Sequence, residues 1–248
     1  MNPVRPDWPY PRWLAHRGAG LLAPENTLAA FRLGAQHGYR MFECDAKLSA
    51  DGVVFLLHDD TLERSSNGTG LGGALTWAEL SQLDAGAWHS RLFAGEPLAT
   101  LAALARFCLA NACRLNIEIK PTPGLEAQTG RAVAREAAQM WAQAGTPPLL
   151  TSFSTEALLA AQQTAPQLPR GLLLQELWAG WLPAAQQLGC TAVVCQHRLW
   201  DAALQAQVRA AGLRSLSYTV NDASTAERLL ALGLDGIITD RIDRFAPD

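Results

Sequence analysis

Four short stretches of this sequence gather acids, bases and cations at spacings that chemistry can use. In Met41-Phe42-Glu43-Cys44-Asp45-Ala46, Glu43 and Asp45 sit two apart. A strand turns both to one side, roughly 6–7 Å from each other. Asn116-Ile117-Glu118-Ile119-Lys120-Pro121 repeats the pattern with Glu118 and Lys120. Ala15-His16-Arg17-Gly18-Ala19-Gly20 sets an imidazole and a guanidinium ahead of glycines that let the backbone turn tightly and approach a ligand. The apolar run 53–57 ends at His58, followed by Asp59-Asp60.

Glu43, Asp45 and Glu118 at one mouth would repel one another and take up protons unless a cation compensates them. A ligand set made only of oxygens favours a hard divalent ion, Mg²⁺ or Ca²⁺, over zinc. Arg17 can grip an anion with its planar fork, and Lys120 acts as a point charge. A dication beside two fixed cations calls for an anionic substrate, phosphate above all. His16 and His58 titrate near neutrality, one to take a proton and one to give it. That combination describes phosphoryl transfer. Each stretch alone has an ordinary reading: a salt bridge or solvent face for Glu43 and Asp45, a core histidine for His16, a turn at His58-Asp59-Asp60, and a cross-face pair for Glu118 and Lys120. Their recurrence at matching strand ends favours a site.

These residues need a frame. Strand patterns cover 13–16, 41–47, 115–120, 149–152, 171–174, 192–195, 213–219 and 236–239. Helical patterns fill the intervals at 27–36, 101–110, 126–144, 155–164, 182–188, 202–211 and 224–232. Eight strands alternating with helices over 248 residues predict an α/β TIM (β/α)₈ barrel, whose active groups come from the C-terminal strand ends. No G-x-G-x-x-G opens a helix, which disfavours a dinucleotide-binding open sheet. A Gly- and Ser-rich stretch, about 60–97, breaks the rhythm and reads as a small insertion after the second strand. It is too short for its own core, so the chain 1–248 reads as a single domain. Trp77, Leu80, Trp88 and Phe93 make an exposed apolar rim on it conceivable.

Bulk properties remove other classes. The chain has 20 Lys+Arg, 23 Asp+Glu and no long basic run, so nucleic acid is not an expected partner. No stretch approaches the roughly 20 apolar residues of a membrane span, and the Pro-rich opening has no apolar leader run. Five cysteines without C-x-x-C fit reduced packing thiols and a cytoplasmic address. Asn67-Gly68-Thr69 reads as a turn. His37, His89 and His197 read as structural or surface residues, with His197 near enough to the sixth strand to reach the mouth. Tyr218 is read as lining the pocket or packing the core, Asn221-Asp222 as a helix cap, and Thr239-Asp240 as a cap or turn.

His16-Arg17-Gly18, Pro24-Glu25-Asn26-Thr27, Glu43-x-Asp45, Asp51-Gly52 through His58-Asp59, and Glu118-Ile119-Lys120-Pro121 together closely resemble the glycerophosphodiester phosphodiesterase family. The opening Trp8-Pro9-Tyr10-Pro11, the Leu56–Asp60 stretch, Pro147-Pro148-Leu149-Leu150 and Tyr218–Asn221 look most like its cytosolic bacterial members linked to glycerol-3-phosphate uptake. The resemblance implies a TIM barrel and hydrolysis of small glycerophosphodiesters to sn-glycerol 3-phosphate and an alcohol. It implies His16 and His58 as the acid/base pair and Glu43, Asp45 and Glu118 as ligands of a divalent metal, Mg²⁺ or Ca²⁺. Arg17 and Lys120 become phosphate-binding, and Glu25 and Asn26 support the site from behind. Many members carry Trp where this chain has Tyr218, so the pocket wall differs. The nucleophile, glycerol 2-hydroxyl or water, stays open, as do the order of the two histidines and whether the protein is a homo-oligomer. The competing readings are an enzyme of intact lipids at a membrane and a non-catalytic phosphodiester-binding barrel.

Overall fold

A computed structural model describes residues 7–247. The first six residues of the Pro-rich opening, and Asp248, lie outside the described part. The strands are β1 Trp13–Ala15, β2 Met41–Leu48, β3 Val54–Leu56, β4 Arg114–Ile119, β5 Leu149–Ser152, β6 Arg170–Leu174, β7 Ala192–Gln196, β8 Arg214–Tyr218 and β9 Gly236–Thr239. The helices are α1 Leu28–Gln36, α2 Trp77–Leu80, α3 Leu101–Ala110, α4 Glu126–Met140, α5 Thr155–Thr164, α6 Trp181–Gln187, α7 Ala202–Ala210 and α8 Ala223–Ala231. All strands but β3 run parallel, and β1 pairs with both β9 and β2, which closes a (β/α)₈ barrel. Helices 27–36 and 224–232 gain their starts from side-chain caps: Thr27 accepts from the Ala30 amide and Asp222 from the Thr225 amide.

β2 shows how the alternation works. Phe42, Cys44, Ala46 and Leu48 face outward into the layer between barrel and helices. Met41, on the other face, joins Leu14, Leu149, Leu173, Val194, Leu216 and Ile238 in an apolar cluster that plugs the barrel's base. Glu43, Asp45 and Lys47 continue that inward face toward the mouth, and all three are buried. The plug therefore gives way to charge along a single strand.

Two expectations change. The run before His58 is not a further barrel strand end: β3 folds back antiparallel on β2, with Ala46 opposite Leu56 and Leu48 opposite Val54. Gly52, at φ +85°, supplies the left-handed residue that this reversal needs. The apolar rim is also largely absent. Leu80 is fully buried, with Phe55, Leu57, Leu62, Ala85 and Leu98, and Trp77 packs against that cluster. Phe93 packs against the barrel's outer layer. Trp88 and Leu92 stay exposed. The insertion thus packs into one small satellite cluster together with β3. Among the described residues no helix is long and apolar enough to cross a membrane.

Candidate active site

Register brings the acids together. In the β2–β4 ladder Asp45 lies opposite Glu118 and Glu43 opposite Asn116. Carboxylate oxygens of Glu43, Asp45 and Glu118 all lie within 4.8 Å of one another. Glu43 Oε1 and Asp45 Oδ1 are buried without a hydrogen-bond partner, and Glu118 Oε1 has only an ion-pair contact, 3.2 Å from Lys120 Nζ. Buried acceptors are rarely left so. Three carboxylates this close, with oxygens left short of partners, fit a hard divalent cation.

The titration behaviour says the same. Burial, reinforced by Asp45 and Glu118 and only partly offset by Arg17, holds Glu43 well above the ordinary carboxylate range. Burial and the charge of Asp45 raise Glu118 to about 7. Asp45 goes the other way: burial pushes it up, but Arg17, His58, Lys120 and the Asn26 amide outweigh that. Without a cation the cluster keeps protons that free carboxylates would lose.

The cations frame this cluster. Arg17 sits in the left-handed region at φ 50°, as does Asn26 at φ 60°, a conformation that non-glycine residues adopt at a cost where structure over-determines it. The Arg17 amide donates to Glu43 Oε2 at 3.1 Å, its Nη1 donates to Glu25 Oε1 at 2.9 Å, and its Nε lies 3.2 Å from Asp45 Oδ2. Asn26 clamps Asp45 twice, donating through Nδ2 at 2.8 Å and accepting the Asp45 amide at 3.1 Å. Glu25 and Asn26 thus hold Arg17 and Asp45 from behind.

Each histidine is backed by an aspartate. His16 Nδ1 lies 2.6 Å from Asp240 Oδ1, with Nε2 turned toward Glu43 at 3.7 Å. His58 Nδ1 lies 2.6 Å from Asp59 Oδ1, with Nε2 3.1 Å from Lys120 Nζ. A carboxylate on Nδ1 fixes the tautomer and leaves Nε2 as the working nitrogen. His58 reaches this place because the Leu57 amide donates to the Asp45 carbonyl at 3.0 Å, ending the β3 return. Burial lowers the His58 pKa, against the pull of Asp45.

Both aspartates escape sequence reading, where they pass for turn residues. One signal was available for Asp240. In a closed barrel the last strand pairs with the first, Thr239 beside Ala15, so the next residues, Asp240 and His16, are neighbours. Asn221 is not the cap of α8, which is Asp222. Its side chain instead donates to Asp240 Oδ2 at 2.8 Å and accepts the Asp240 amide. His197 does not line the cavity, although Gln196 does. His37 is exposed, and His89 meets the Leu21 carbonyl.

A cavity of about 440 Å³ opens over the site, lined by His16, Arg17, His58, Glu118, Lys120, Phe153, Gln175, Gln196, Tyr218 and Thr219. A second lobe, about 370 Å³, shares His58, Glu118, Lys120 and Phe153 and adds Lys47, Asp59, Asp60 and Ser152. Tyr218 donates to the Leu174 carbonyl at 3.2 Å and meets Phe153 edge to face.

Residues 16–244 match the Glycerophosphoryl diester phosphodiesterase family. The chain belongs to that family. A glycerophosphodiester phosphodiesterase of Caldanaerobacter subterraneus is 30% identical over 92% of this chain and 93% of its own length. A phosphodiesterase of Oleispira antarctica, solved with the product sn-glycerol-3-phosphate, superposes with a TM-score of 0.87 at 34% identity, covering 93% of each chain. The glycerophosphodiester phosphodiesterase of Agrobacterium tumefaciens gives 0.77 at 28%, over 96% of this chain and 99% of that one. The protein is an enzyme of this class, a phosphoric diester hydrolase.

Proposed function

We propose that this single-domain enzyme cleaves glycerophosphodiesters to sn-glycerol 3-phosphate and a small alcohol, with a divalent cation, Mg²⁺ or Ca²⁺, on Glu43, Asp45 and Glu118. The observation that carries the reading is the set of three under-satisfied carboxylates, two buried and one half-buried, between two aspartate-backed histidines. The product seen in the Oleispira antarctica enzyme supports the substrate class. Five buried free thiols suit a reducing, cytosolic setting.

The bound cation would supply positive charge that stabilises the phosphorane-like transition state. The chain's own residues do the rest. Arg17 and Lys120 hold the non-bridging oxygens. A diester has two arms, and the site has two lobes. Gln175, Gln196 and Thr219 beside His16 suit the hydroxyls of glycerol, and the lobe beside His58 takes the alcohol. His16 then accepts the proton of the glycerol 2-hydroxyl as that oxygen attacks phosphorus. His58 gives its proton to the departing alkoxide. Water, with the proton transfers reversed, opens the cyclic phosphate. The assembled nucleophile would be the substrate's own hydroxyl.

A coupled assay of glycerol 3-phosphate release from glycerophosphocholine tests the reading. Activity should require added Mg²⁺ or Ca²⁺ and vanish in excess EDTA; full activity in EDTA overturns the metal assignment. A substrate lacking the 2-hydroxyl should not turn over, and its normal hydrolysis would point to direct attack by water.

A further inference from the structure

The turn that carries His58 is held by two cations from different parts of the chain. Asp59 binds His58 through Oδ1, and its Oδ2 accepts from Arg64 Nε. The other two nitrogens of Arg64 reach Glu25: Nη1 to Oε2 at 2.7 Å and Nη2 to Oε1 at 2.8 Å. Glu25 Oε1 also accepts from Arg17. An unbroken set of bonds therefore runs from His58 through Asp59, Arg64 and Glu25 to Arg17. On the other side Lys47, fully buried and next after Asp45 on the inward face of β2, donates to Asp60 Oδ1 at 2.6 Å and to the Lys120 carbonyl at 3.4 Å.

Arg64 belongs to the insertion and does not line either lobe of the cavity. It is 44% exposed, and ion pairs at such positions add little to stability, about 0–1 kcal/mol. Its arrangement is nonetheless specific. Only a guanidinium can offer two parallel donors to Glu25 and a third, Nε, to Asp59; an ammonium cannot span both. What the bonds fix is direction. Asp59 sets the plane of the His58 ring, and Arg64 sets Asp59.

We propose that Arg64 is a positioning residue for the reaction: with Lys47 as the strut on the opposite side, it locks the His58–Asp59–Asp60 turn to the supports of the two phosphate-binding cations. This rests on the reading of His58 as a proton carrier. Loss of such an outer contact typically costs about 10–100-fold.

The test is steady-state kinetics on glycerophosphocholine with Arg64→Met, Arg64→Lys and Asp59→Asn. Arg64→Met should lower kcat roughly 10–100-fold, leave KM within about threefold, and leave the melting temperature within about 4 °C of the parent. Arg64→Lys should not restore kcat. In the Asp59→Asn background Arg64→Met should add little, because the link is already cut. Lys47→Met should lower kcat too, and since Lys47 is buried the Arg64 variants stand independently of whether it folds. An unchanged kcat for Arg64→Met, effects that simply multiply with Asp59→Asn, or a rise in KM alone would overturn the proposal. If the parent protein releases no glycerol 3-phosphate, or His58→Ala is fully active, the functional reading has failed instead.

Discussion

At the scale of single residues, the site is a set of groups each held by a second group. His16→Ala and His58→Ala should each lower kcat by about 10²–10⁴ while circular dichroism stays native. On an ester with a good leaving group such as p-nitrophenol, His58→Ala should lose much less than on glycerophosphocholine, because that departing oxygen needs no proton; equal losses would reverse the order of the two histidines. The ten residues singled out in the sequence, His16, Arg17, Glu25, Asn26, Glu43, Asp45, His58, Glu118, Lys120 and Tyr218, come together at one mouth. Their partners Asp59, Arg64 and Lys47 were not legible, and Asp240 was so only through the closure of the barrel. A short acid after a strand has turn formation as its strongest local use, and pairing across more than 200 positions, as between His16 and Asp240, leaves no local trace.

At the scale of elements, the β2–β4 ladder does the decisive placing, since its register sets Asp45 beside Glu118. The period-two pattern of both strands was readable because each alternates charged and apolar residues. The β3 reversal was not: its three apolar residues look the same whether they enter a barrel or cover one. Helix α1 adds a constraint of its own. A Cβ at Gly34 would overlap the Gly18 carbonyl oxygen and crowd the Phe42 ring. Gly34→Ala should therefore cost about 1–3 kcal/mol by overpacking and displace the loop that presents Arg17. Urea unfolding checks the first, and a raised KM checks the second.

At the scale of the whole molecule, burying three acids costs the fold something until a cation arrives. Glu118 titrates near 7 in the fold against 4.5 for a free carboxyl, so the native state holds the extra proton. A raised acid contributes stability below the lower value and loses it as pH rises through the higher one. His58, lowered from 6.5, works in the opposite sense, but only the tail of its contribution lies above that value. Between pH 6.5 and 8 the metal-free protein should therefore lose stability, at about 2–4 °C of melting temperature per kcal/mol. Added Mg²⁺ or Ca²⁺ should restore more at pH 8 than at 6.5, and binding should release protons. A melting temperature that rises over this interval without metal would contradict the assignment. Barrel closure also has a temporal side. His16 leaves the ribosome 224 residues ahead of Asp240, and Leu21 and Gly20 are pinned against the loop that follows β9. During synthesis the seam between β1 and β9 stays open until β9 itself has been made, so a growing chain carries its acids, arginine and both imidazoles long before it can act.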